Sequence, residues 1–227
     1  MRMAAPAALV SVNLGSAKPT DHSVAGVTGI DKRPVAGPVE VRDPGPTGVG
    51  GSGLAGDAVC DLPRHGGSAQ AVYAYAREDL DAWEAELGRP LGCGVFGENL
   101  TTGGVDVTGA LVGERWLVGE RCVLQVTGPR LPCRTFAAWL EDRGWVRRFT
   151  ARGAPGAYLR VVVPGPVRAR DPVTIAGRPD HGVTIGTAFR ALTTERPLLP
   201  LLLEIGDDLP EHVRDRVRQL LHPPTRA

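Results

Sequence analysis

Punctuation is the feature that most restricts this chain. Its 227 residues include 30 glycines and 20 prolines, nearly twice the usual share of about 12%. Glycine destabilises a helix interior and proline breaks it, so a helical bundle is excluded and many short strands joined by turns are favoured. Runs of strand character fall at residues 9–14, 24–30, 39–42, 69–75, 105–108, 115–118, 122–127, 157–163 and 167–175. The first run follows a weak leader-like start (Arg2, then residues 4–12), which Pro6 interrupts and Asn13 ends early, so a first strand is the better reading. Residues 43–56 are too rich in glycine and proline for anything but a long loop. Two helices interrupt the pattern. In residues 78–87, Leu80, Trp83 and Leu87 share one face, and Gly88 and Pro90 end it; a short second helix covers 136–140. About nine strands and few helices predict a closed or sandwiched, mainly β domain over residues 1–177. After Gly177 the period becomes helical: Ile185, Ala188, Phe189 and Leu192, then residues 198–203, then Val213, Val217, Leu220 and Leu221. Residues 178–227 are therefore expected to form a small three-helix appendage.

The 26 basic and 25 acidic side chains leave a net charge of +1, which gives no support to nucleic-acid binding. The most apolar later stretch, residues 198–205, is far shorter than the ~20 residues needed to cross a bilayer. The expectation is a cytoplasmic protein with no membrane role. Four cysteines without a C-x-x-C pair, Cys60, Cys93, Cys122 and Cys133, fit neither a zinc ribbon nor a disulfide scaffold. The five histidines have no metal-binding spacing. Gly48 to Gly53 satisfies G-x-G-x-x-G, but Pro44 and Pro46 precede it and Gly56 follows, so neither the strand nor the helix of a dinucleotide site fits there. Asn99-Leu100-Thr101 is a glycosylation sequon by pattern alone. No G-x-S-x-G elbow or Walker A loop occurs.

Three glycine-bounded clusters carry polar chemistry. Gly56-Asp57 is followed by Arg64-His65-Gly66-Gly67; Gly97-Glu98-Asn99 stands between; Pro129-Arg130-Leu131-Pro132-Cys133-Arg134 closes the set. Cys133 lies after a stiff Pro-x-x-Pro brace, at an expected helix start, between two arginines. These features favour a thiolate, hence a nucleophile or a ligand for a soft metal; the bland alternative is a small buried hydrophobe, the role expected of Cys60, Cys93 and Cys122. His65-Gly66-Gly67 is either a plain turn or an anion cradle of backbone N–H groups with a histidine donor. Asn99 is either a turn former or a hydrogen-bonding group facing a heterocycle, and Glu98 a brace of its loop.

In order and spacing, these runs resemble the MOSC domain (molybdenum cofactor sulfurase C-terminal), in particular its stand-alone bacterial YiiM-like branch with a helical tail. The core of the resemblance covers residues 27–177. It implies a β-barrel-like fold and a pterin-based molybdenum cofactor (molybdopterin), with Cys133 as the protein ligand to the metal. It implies cofactor contacts from Lys32, His65, Gly66, Gly67, Asn99, Arg130 and Arg134, and a loop-anchoring or proton-relaying role for Asp57. The implied activity is reduction of N-hydroxylated small molecules with electrons from a redox partner protein, since no flavin or nicotinamide motif is present; a homodimer is compatible with it. Two other activities use the same residues: a cofactor or sulfur carrier acting through Cys133, and a cysteine hydrolase or acyltransferase with His65 as base. Two departures stand out. Ser68-Ala69-Gln70 follows the His-Gly-Gly run where a basic residue is frequent in the branch, and Glu114 follows Gly113 where aspartate is usual.

Overall fold

A computed structural model describes residues 6–222. The start of the leader-like run and the last five residues lie outside them. In chain order the strands and helices are β1 (Ala8–Gly15), β2 (Lys18–Pro19), β3 (Val27–Thr28), β4 (Lys32–Pro34), β5 (Val39–Val41), β6 (Val72–Ala76) and α1 (Arg77–Leu87). Then come β7 (Leu100–Gly103), β8 (Arg115–Val118), β9 (Cys122–Pro129), α2 (Arg134–Trp139), α3 (Trp145–Arg152), β10 (Ala157–Val163), β11 (Gly165–Val167) and β12 (Val173–Gly177). The tail supplies α4 (Ile185–Thr193), α5 (Leu199–Glu204) and α6 (Glu211–Leu221).

Eight strands form one mixed sheet in the order β12-β8-β9-β10-β6-β7-β1-β4. Its one parallel pair is β6–β7, joined by a connection that contains α1, as a parallel pair requires. Pairs β5–β11 and β2–β3 stand apart from it. The expected barrel is not formed as a closed ladder among the described strands. The sheet does curl far enough for the isolated bridge Ala8–Pro172 and for Leu9 N–H to donate to Asp171 O at 2.9 Å.

Three other expectations change. Residues 105–108 are not a strand. The ladder runs through Leu100–Gly103 instead, while Val105 and Val107 are buried from a turn, giving a period-two pattern without a partner strand. The run 167–175 splits into β11 and β12, because Arg170 takes φ 75° and turns the chain before Asp171-Pro172. The expected strand at 24–30 shrinks to Val27–Thr28. Helix α3, unforeseen, starts after the turn made by Glu141 (φ 56°) and Gly144.

Two cores flank the sheet. One is aliphatic and joins Leu124, Val126 and Leu159 to Ile185, Ala188, Leu199, Leu202 and Val217 of the tail. The switch from strand to helix falls at the end of β12, and the core continues across it. The other is aromatic: Tyr75, Trp83, Phe96, Phe136, Trp145 and Phe149 pack between the sheet and α1–α3.

At the start of α1, burial pushes the carboxyl of Asp79 up to about 6, against the pull of Arg152 and with help from Asp106 and Glu78. A carboxyl whose native pKa exceeds its unfolded value costs stability as pH rises through that interval. Asp79→Asn is therefore expected to gain on the parent by about 2 kcal/mol between pH 4 and pH 7. Urea melts at both pH values check this; a stability difference that stays constant with pH would refute it.

Candidate functional site

Four chain segments meet at one end of the sheet because β1, β6, β7 and β9 lead or are tied into the glycine-rich loops there. Lys32, His65, Gly66, Asn99, Arg130 and Cys133 line a single cavity. Lys32 opens β4, its side chain 7% exposed, and its ammonium pairs with Asp57, whose carboxylate is fully buried. Burial holds the Lys32 amine below the usual lysine range, although Asp57 opposes that.

Asp57 itself does not line the cavity. Its Oδ1 accepts from Gly15 N–H at 2.7 Å and from Lys32, and its Oδ2 accepts from Asn99 Nδ2 at 2.9 Å. Every bond ties one loop to another. Of the two roles expected for it, the geometry matches loop anchoring; a direct catalytic contact is corrected, since the carboxylate lies behind Lys32 and Asn99.

Asn99 requires a similar correction. Its amide N–H groups go to Asp57 and, at 3.4 Å, to Asn13 O, and its Oδ1 accepts from Tyr73 N–H at 3.2 Å. No donor is left for a heterocycle. Asn99 instead fixes the cavity wall to β6. Glu98 beside it is fully buried and braces its loop by accepting from Gly94 N–H at 2.5 Å, Phe96 N–H at 3.0 Å and Thr101 Oγ1 at 2.9 Å.

Arg130 follows β9. Its guanidinium lies 4.0 Å from the Phe136 ring centroid and 5.1 Å from that of Tyr73, and it donates to Phe96 O. Stacking on two aromatic faces holds a cation at the cavity wall with little side-chain freedom. Arg134 goes elsewhere: it is exposed on α2 and does not line the cavity, because successive side chains at this turn diverge. Cys133 is the half-buried N-cap of α2. That helix has only six residues, so the dipole argument for its thiol is weaker than the sequence implied.

Gly66 and Gly67 take φ 79° and 74°. A Cβ at Gly66 would lie 2.6 Å from Gly51 O, and one at Gly67 2.5 Å from Thr47 N, so only glycine fits either position. Gly67 does not line the cavity, and its N–H donates to Gly51 O at 3.0 Å, which removes it from any anion cradle. His65 sits on the exposed rim. Partial loss of water and the charge of Arg130 hold its imidazole below the usual histidine range, so it is neutral at pH 7 and offers one N–H donor. Among the described residues no carboxylate or amide side chain orients its ring, as a cysteine-hydrolase base would require.

Residues that motif reasoning passed over also face the cavity: Cys60, Gln70, Tyr73 and Tyr158. Cys60 was expected elsewhere as a packing residue. It reaches the wall because Asp57, three residues earlier, is anchored beneath it, and burial pushes its thiol up. Cys122, by contrast, is buried in the aliphatic core as expected. No local signal distinguishes Cys60 from Cys122, since the difference arises from which loop the sheet carries to the cavity.

A curled mixed sheet that carries a half-buried thiol and two buried cations on glycine-rich loops defines a small-molecule binding domain. The family model of the MOSC domain matches residues 61–174, and the chain belongs to that family. It is 31% identical over 183 residues to protein YflK of Bacillus subtilis, covering 80% of this chain and 79% of that protein. It is 26% identical over 163 residues to a protein of Gibberella moniliformis named "Reductase", covering 70% of this chain but only 29% of that protein. The crystal structure of YiiM from Geobacillus stearothermophilus superposes with a TM-score of 0.76 at 26% identity, covering 94% of this chain and 98% of that one. Among the described residues no helix is long and apolar enough to cross a membrane.

Proposed function

We propose that this protein binds a molybdenum cofactor and reduces N-hydroxylated small molecules with electrons from a partner protein. The observation that carries this reading is the convergence of a half-buried thiol, Cys133, with two buried cations, Lys32 and Arg130, on one cavity. That donor set suits an anionic group carrying a thiophilic metal. Cys133 would hold the metal, Lys32 and Arg130 would neutralise a phosphate, and the rim donor His65 and the backbone of Gly66 would complete the cradle. When bound, the cofactor would supply two-electron redox chemistry at its metal.

The rest belongs to the chain. The overall reaction takes R–NH–OH, two electrons and two protons to R–NH2 and water. Asp57 and Asn99 hold Lys32 and the cavity wall in place, the aromatic stack fixes Arg130, and neutral His65 at the rim offers its one N–H to hydrogen-bond the bound group. The domain association and the reductase name of one relative support the reading; the substrate class and the donor are inferred from the family's chemistry.

Protein made in a cofactor-competent host is expected to carry close to one equivalent of molybdenum by plasma emission analysis, and Cys133→Ser to lose most of it. Less than a tenth of an equivalent in the parent, unchanged by the substitution, would refute the reading. Bound cofactor without steady-state reduction of a hydroxylamine by any donor would instead favour a carrier.

A further inference from the structure

We infer that Gln70 is a recognition residue of the cavity: its side-chain carbonyl accepts a hydrogen bond from an N–H group of the bound molecule. The inference rests on the functional reading above only in naming that molecule as a pterin.

Several polar groups of the cavity wall already have partners. Lys32 pairs with Asp57, both ends of the Asn99 amide are bonded, Arg130 donates to Phe96 O, and Tyr73 Oη donates to Pro155 O at 2.8 Å. Gln70 also lines the cavity, yet its Oε1 is shielded from water and has no donor. A shielded acceptor without a partner is costly, and most such atoms in folded proteins are satisfied. Packing does not explain it, because leucine or methionine would fill similar space without an orphaned oxygen.

The backbone beneath Gln70 is fixed. Gln70 N–H donates to Gly67 O at 2.9 Å, Ala69 O accepts from Thr127 Oγ1 at 2.6 Å, and Ala71 O accepts from Gly53 N–H at 2.7 Å. Only the side chain can turn toward a ligand. Gln70 also closes the Ser68-Ala69-Gln70 stretch, in which this chain lacks the basic residue frequent in its branch. A neutral amide oxygen there cannot hold a phosphate; it selects a donor. Lys32 and Arg130 place two cations on the same wall, so a molecule complementary to the whole wall is anionic at one end and presents an N–H edge at another. The amino-pyrimidinone edge of a pterin has that character.

The test uses the full chain from a cofactor-deficient host, titrated with pterin-6-carboxylate and followed by the fluorescence of the pterin. Gln70→Leu is expected to weaken binding about tenfold, the effect of one lost hydrogen bond in a shielded site. Gln70→Glu keeps an acceptor and is expected to stay within about threefold of the parent on the same grounds. The melting temperature of ligand-free Gln70→Leu should equal or exceed that of the parent, since the substitution removes an unsatisfied atom; a purely structural glutamine would give the opposite. Equal binding by Gln70→Leu and parent, or no binding by the parent, overturns the inference. A parent that binds the probe through Gln70 yet carries no molybdenum from a competent host overturns the functional reading and leaves this one standing.

Discussion

Asp57→Ala is expected to destabilise the protein by about 3–5 kcal/mol, the range for breaking a buried ion pair by removing one partner. The substitution leaves the ammonium of Lys32, 7% exposed, without its counter-charge. It also leaves Gly15 N–H and one N–H of Asn99 without the acceptor they use now, and each unsatisfied buried donor adds its own desolvation cost. Lys32→Met in the same background should recover part of the loss, because a neutral side chain no longer needs the carboxylate. Urea unfolding of the two single variants and the double variant measures this as a coupling energy. A cost below about 1 kcal/mol for Asp57→Ala would mean that the pair behaves as a solvated surface bridge and that the loops it joins are held by other contacts.

Phe96→Ala is expected to cost a comparable amount, about 3–5 kcal/mol, for a different reason. The Phe96 ring is fully buried, with its centroid 5.0 Å from Tyr75, 5.1 Å from Phe136, 5.3 Å from Trp145 and 6.2 Å from Phe149. Its removal opens a void among rigid rings that cannot collapse to fill it. Its carbonyl is also the acceptor for Arg130, and Phe136 is the ring on which Arg130 stacks. Stability and site geometry should therefore fail together. Phe96→Leu should keep more than half of the stability and most of the molybdenum content. Denaturant melts followed by tryptophan fluorescence, with metal analysis of the same samples, check both. A variant that loses stability but binds metal normally would separate the aromatic core from the cavity wall.

The strand at 157–163 and the helix at 78–87 were legible because local pattern and tertiary role agree there: β-branched residues between turn residues in one, apolar spacing ended by Gly88 in the other. Residues 105–108 were misread because Val105 and Val107 alternate like a strand but bury themselves from a turn, and alternation says nothing about whether a partner strand lies alongside. At the cavity, Cys133, Lys32, His65 and Arg130 could be named in advance because their motifs are local. Cys60, Gln70 and Tyr158 could not, because what brings them to the same wall is the strand order. The commitment of Asn99 was equally invisible, since its partners Asp57, Asn13 and Tyr73 lie 26 to 86 residues away.

That strand order also determines when the cavity can exist. Strand β10 lies between β9 and β6, and Tyr158 on it is part of the cavity wall. During synthesis the chain emerges from its N-terminus, so the motifs around Lys32, His65, Asn99 and Cys133 are all made before the strand that joins the two halves of the sheet. Until residues 157–163 emerge, β6 and β9 each present an unpaired edge, and the loops they carry have no common wall. Such pairings between distant segments form slowly. The thiol of Cys133 therefore passes through a period of exposure to cellular oxidants and stray metals before its neighbours shield it, and any group loaded into the cavity must arrive after that closure.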